Sequence, residues 1–135
     1  MKLRLIGLIL LVQLSCTPLM AEEAVEEADG VRYIELTPAF VTNYGGPGPL
    51  KYIKTEVSLR VDSQEAYRLV RHHMPSLRYA LIKVLTQQTE ETVSSMEGKE
   101  QIRMQALADL QAVMKAEEDN ASIEDVLFSS FFVQR

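Results

Sequence analysis

The sequence predicts an α+β domain, a two-layer sandwich in which an antiparallel sheet carries two long helices on one face. Three observations lead there. Lys51 to Val61 (K-Y-I-K-T-E-V-S-L-R-V) alternates strictly, two later stretches repeat apolar residues at three and four, and a Gly/Pro loop separates two β-prone runs. Successive strand side chains point to opposite faces, so Ile53, Thr55, Val57, Leu59 and Val61 form one dry face and Tyr52, Lys54, Glu56, Ser58 and Arg60 a wet one. A one-faced strand needs partner strands beside it and an apolar layer against it. The expected order is β-β-α-α-β.

Val31 to Leu36 (V-R-Y-I-E-L) reads as a first strand. Pro38 interrupts its ladder, so the strand is an edge or bends there, and Phe40-Val41 resume it. Tyr44-Gly45-Gly46-Pro47-Gly48-Pro49 is the strongest loop signal and implies a hairpin into the alternating strand. Its glycines read as turn geometry, because the Gly-Lys-Ser/Thr ending of a phosphate-cradling loop is missing.

Asp62 and Glu65 have the spacing of an N-cap and its third residue. Ala66, Leu69, Val70, His73, Leu77, Leu81, Val84 and Leu85 then mark one face of a long helix ending near Gln88. Pro75 inside it predicts a kink or short break, since it removes a backbone bond. Ser94 and Glu97 repeat the capping pattern ahead of a second helix from Met96 to Glu118, with Ile102, Ala106, Leu110, Val113 and Met114 on one face. Gly98 falls in its first turn, and Asp119-Asn120 ends it. Ile123 to Val133 is apolar on both parities, which predicts a central or doubly covered strand, bulged at Ser129-Ser130.

Composition places the chain among ordinary globular domains, with 47% hydrophobic and 24% charged residues. The formal charge is −5. Setting aside the basic start and the acidic Glu22, Glu23, Glu26, Glu27 and Asp29 leaves about −2 from Val31 onward, so nucleic acid is excluded as a partner. Residues 1–21 read as a secretory signal peptide: Lys2 and Arg4, an apolar run from Leu5 to Val12, and a small residue at Ala21. The run is about half the roughly 20 residues a membrane span needs. Leu14-Ser15-Cys16 supports a second reading, a lipoprotein signal that leaves Cys16 lipidated, although Gln13 stands where an aliphatic residue is usual. Residues 22–30 read as an acidic, solvated lead-in, and 31–135 as the folded domain.

Catalytic chemistry finds no support. His72 and His73 are the only histidines, and as helix neighbours they point about 100° apart, unlike paired ligands at i and i+4. With Met74 they are the only candidate copper site, but one half-buried and one solvated histidine is the simpler reading. No serine has a nucleophile-elbow context, and Glu90-Glu91 and Glu117-Glu118 are sequence neighbours, not facing carboxylates. The expected protein is therefore not an enzyme and needs no cofactor.

Several segments together resemble the periplasmic domain of the FliL family, the flagellar basal body-associated proteins. They are Phe40-Val41-Thr42-Asn43, the K-Y-I-K-T-E-V-S-L strand, the M-P-S-L-R-Y-A-L-I helix around Pro75, and Thr89-Glu90-Glu91-Thr92-Val93. Met96-Glu97-Gly98-Lys99-Glu100, Leu127-Phe128 and Phe131-Phe132-Val133-Gln134 complete the set. The resemblance implies a fold similar to stomatin-type domains and self-association into rings around the flagellar stator proteins, at the inner-membrane periphery, in support of swimming. It also implies a transmembrane helix ahead of the domain, and there this chain departs from the family pattern. An envelope lipoprotein of the same fold, with a scaffold role away from the flagellum, is the alternative.

Rings are built from heterologous contacts, in which two different patches meet. Arg68, Arg71, His72 and Arg78 are expected to share one flank of the first helix. Asp109, Glu117 and Glu118 on the second helix are the acidic candidates for the neighbouring copy.

Overall fold

The computed structural model describes residues 30–119 and 123–135. The leader with Cys16, the lead-in as far as Asp29, and Asn120 after the last helix lie outside the described residues. Four strands and four helices follow in the order β1 (Arg32–Glu35), β2 (Phe40–Tyr44), β3 (Lys51–Val61), α1 (Gln64–His72), α2 (Met74–Thr86), α3 (Glu90–Ser94), α4 (Met96–Glu118) and β4 (Asp125–Gln134).

The alternating stretch is β3, and every other strand is antiparallel to it. β4 pairs with β3 from Tyr52 to Arg60 and so occupies one of its two edges. β1 (Arg32↔Val61 to Glu35↔Ser58) and β2 (Phe40↔Thr55 to Tyr44↔Lys51) therefore lie end to end along the other. They are one strand broken at Leu36–Ala39, where the Thr37–Pro38 peptide is cis and the Leu36 N–H still reaches the Val57 carbonyl at 2.9 Å. The interruption at Pro38 and the hairpin after Tyr44 stand as expected, with Gly45 and Gly46 at φ 87° and 70° in the turn.

β4 is a correction. It has β3 on one side only, so among the described residues it is an edge strand and β3 is the central one. The reason it misleads is its bulge. Glu56 faces Ser130 and Val57 faces Phe128, leaving Ser129 as the extra residue. That shift of one changes the phase of the alternation. Val126 and Phe128 before it, and Phe131 and Val133 after it, all stand opposite inward residues of β3. Apolar residues on both parities thus serve one dry face. Thr55, fully buried on that face, donates its hydroxyl to the Ser130 carbonyl at 2.6 Å, which satisfies the bulge from within.

Among the described residues, the helices cover this dry face alone. Ile53, Val57 and Leu59 pack in one core with Val70, Leu77, Leu81, Leu85, Ile102, Leu110 and Met114. The two expected helices are four, for local reasons. Ser63, not Asp62, caps α1, its hydroxyl accepting from the Ala66 N–H at 3.1 Å. The first long helix breaks at His73, so that Pro75 falls in the opening turn of α2, where a missing N–H costs nothing. Thr89 begins the short α3 with a reciprocal cap to Thr92. Ser94 then ends α3, and Ser95 caps α4 through the Gly98 N–H at 2.9 Å. Asp119, in the left-handed region at φ 53°, closes α4.

Candidate interaction surface

The predicted charged flank separates into different environments. Arg68, Arg71 and His72 are exposed on α1, with the Arg71 guanidinium donating to the Tyr67 hydroxyl at 3.2 Å. Arg78 lies beyond the break at His73. Half-buried on α2, it stacks 4.1 Å from the centre of the Phe40 ring. On the acidic side, Asp109 and Glu117 are exposed on α4. Glu118 is instead held within the chain, 2.5 Å from the His73 Nε2. That contact fastens the α1–α2 joint to the end of α4. The basic candidates with outward-facing heads are therefore Arg68 and Arg71, and the acidic ones Asp109 and Glu117.

His73 is half-buried, and His72 stands edge-on to it with ring centres 4.8 Å apart. Met74 packs against the core. Among the described residues no three His, Cys, Asp or Glu side chains converge as metal ligands, and no helix is long and apolar enough to cross a membrane.

One polar cluster has no signature in the sequence. Glu90, at the start of α3, accepts from the Lys51 ammonium at 2.9 Å and the Tyr44 hydroxyl at 3.0 Å. Arg135 at the chain end donates to its other oxygen and reaches Ser94 Oγ at 2.9 Å. Lys51, then Arg135, hold the Glu90 carboxyl down at about 2. Burial first, and the adjacent carboxylate second, push the Tyr44 phenol up. The clasp draws the hairpin, α3 and the chain end together, and the Gly45 N–H adds a bond to the Gln88 carbonyl at 3.0 Å. Its hydrogen bonds join residues as much as 46 positions apart, as Tyr44 and Glu90 are, which is why spacing does not disclose it.

Gly98 has a related role. A Cβ there would lie 2.1 Å from the Thr92 carbonyl oxygen, so only glycine lets α4 start this close to α3.

Three surfaces are shaped for contact. The open face of the sheet exposes Tyr33, Val41, Tyr52, Leu127 and Phe132. Val41 and Phe132, about two-thirds exposed, flank Lys54 in register across β3. A groove of about 550 Å³ runs between α2 and α4, lined by Pro75, Tyr79, Lys83, Val113 and Glu117. Another of about 310 Å³ lies between α4 and β4, lined by Met96, Lys99, Arg103, Phe128 and Phe131. What they offer is apolar surface edged with charge, which suits docking.

The family model described as "Flagellar basal body-associated protein FliL" matches residues 33–134. The flagellar protein FliL of Aquifex aeolicus is 25% identical over 105 residues, covering 78% of this chain and 62% of that protein. The chain thus spans less than two thirds of that curated relative's length.

Proposed function

The chain belongs to the FliL family of flagellar basal body-associated proteins, and from that membership we propose that it is a non-catalytic, periplasmic component of the basal body that self-associates and supports the motor stator. The observation that carries the reading is the extent of the match. It runs from residue 33 to residue 134 and so takes in nearly all of the described fold, from β1 through β4. Residues 1–21 act as the export signal, 22–30 as the lead-in, and 31–135 as the docking domain, with a fold like that of stomatin-type proteins. Localisation tests the role: a fluorescent fusion is expected as foci at flagellar bases, and even envelope fluorescence would count against it.

Self-association in this reading uses Arg68 and Arg71 of one copy against Asp109 and Glu117 of the next. Arg78 and Glu118 leave the contact because each is already engaged inside its own chain. Reversing Arg68 and Arg71 to Glu is expected to reduce the sedimenting species to a monomer, and unchanged sedimentation would remove this contact.

Leu14-Ser15-Cys16 favours a second reading, an envelope lipoprotein or paralogue using the same domain as a scaffold away from the flagellum. Incorporation of a labelled fatty acid that is abolished by Cys16→Ser would establish the tether, and no incorporation would leave cleavage at Ala21.

A further inference from the structure

We propose that the outer edge of β4, with the groove beside α4, is a strand-addition site for an extended segment of another protein that alternates apolar residues and carries an acidic side chain.

The backbone defines the site first. The Leu36 N–H bonds the Val57 carbonyl on the β1–β2 side of β3, and the Glu124 N–H bonds the Arg60 carbonyl at 2.8 Å on the β4 side. N–H and C=O of one strand residue point the same way and alternate along it, so the even-numbered residues of β3 bond to β4. Their partners Leu127, Ser130, Phe132 and Gln134 are thereby used. Val126, Phe128, Phe131 and Val133 turn their N–H and C=O groups to the outside. An independent contact agrees with that direction: the Val126 N–H is taken up by its own neighbour's carboxylate, Asp125 Oδ1, at 2.9 Å. At Phe128, Phe131 and Val133 no such substitute is found among the described residues.

Exposed edges invite pairing, and proteins blunt them with proline, charge or short strands. The opposite edge of this sheet is blunted: β1 and β2 are short and are split at Pro38. β4 is ten residues long and has neither proline nor charge from Val126 to Gln134. Its bulge at Ser129 is its one such device, and that bulge turns four apolar side chains toward the helices. A protein that protects one edge and leaves the other chemically bare has the pattern of a sheet built to be extended on one side.

The groove supplies the side-chain half of recognition. Residues added opposite Phe128 and Phe131 point toward the helix layer, where those rings meet edge to face at 5.6 Å. Met96 stands above them, 84% exposed, a flexible apolar side chain of the kind used at adaptable binding surfaces. The charges there are unequal. Arg103 is engaged by Glu100 at 2.8 Å and by Asp125. The Lys99 ammonium lies over the Phe131 ring, 5.3 Å from its centre, with no carboxylate partner among the described residues. An incoming strand thus gains main-chain bonds from β4, apolar contact from Phe128, Phe131 and Met96, and a charge partner in Lys99.

The test uses the full chain and a fluorescein-labelled decapeptide alternating valine with threonine and carrying one aspartate. In the free protein the amides of Phe128, Phe131 and Val133 are expected to exchange faster than those of Leu127 and Phe132. Peptide is expected to bind saturably and slow those three amides. Lys99→Glu is expected to weaken binding about tenfold or more, and a probe with lysine in place of aspartate to recover it on that variant, which separates charge pairing from misfolding. Absence of binding at about 1 mM peptide, or protection on the β1–β2 edge instead, would overturn the proposal. So would protection of the three amides that rises with protein concentration alone, because a second copy would then be the occupant.

Discussion

Replacing Gly98 with alanine sets two known effects against each other, and the structure decides which wins. In a helix, alanine is favoured over glycine by about 1 kcal/mol in the interior and by less in the first turn. Against that, the new methyl would lie 2.1 Å from the Thr92 carbonyl oxygen, 2.6 Å from its Cα and 2.7 Å from its carbonyl carbon. Ordinary contact begins near 3.4 Å, so the overlap exceeds an ångström, and all three atoms are backbone. No side chain can rotate away. The start of α4 must move off α3, disturbing the Ser95 cap and the buried Val93 next to it. Overpacking costs about 1–3 kcal/mol and sometimes more. A net loss of about 2 kcal/mol follows, or a fall in Tm of about 8–16 °C for a domain of roughly 100 residues. Thermal melts followed by circular dichroism measure it. A variant as stable as the parent, or more so, would refute the close approach of α3 to α4.

Further perturbations test other parts of the structure. Leu59→Ala, at the fully buried centre of β3, is expected to cost about 2–5 kcal/mol in urea unfolding, and a cost under about 1 kcal/mol would mean Leu59 is not in the core. Because the Glu90 carboxyl is depressed to about 2 from an ordinary 4.5, the clasp is at full strength above that ordinary value and is lost as pH falls through about 2. An NMR titration of Glu90 is expected to show that low midpoint, whereas one near 4.5 would place Lys51 and Arg135 elsewhere. Arg78→Ala is expected to lower stability by about 1 kcal/mol through lost stacking on Phe40, while Arg68→Ala and Arg71→Ala stay within about 0.5 kcal/mol. Equal melts for all three would mean that Arg78 does not cover Phe40.

The parts of the fold legible in the sequence are those governed by short-range periodicity. β3 announces itself because one face is dry and the other wet along its whole length. The hairpin and the break at Pro38 are written in residues with few conformational options. The helix faces follow from apolar spacing at three and four, as Leu77, Leu81 and Leu85 show. Boundaries were less legible, since Asp62 and Ser63, or Ser94 and Ser95, are adjacent candidates for the same cap, and only the backbone at each chooses between them. α3 is too short to show a period. β4 read as central because a bulge imitates two apolar faces. The Ser129-Ser130 signal was present, but its consequence for phase requires knowing the partner register. The candidate site was legible as residue types and not as geometry. Nothing in the spacing of Arg78 indicates Phe40, and nothing near Glu90 in sequence indicates Arg135.

Swimming tests most directly whether this domain serves the flagellar motor as a docking surface. A strain lacking the chain, complemented with it from a plasmid, would be compared with the parent by spreading in soft agar and by single-cell speed at raised viscosity. Flagellated cells that swim poorly without the chain and recover with it are the expected result. Undiminished speed under load in the deletion strain would contradict a role at the motor.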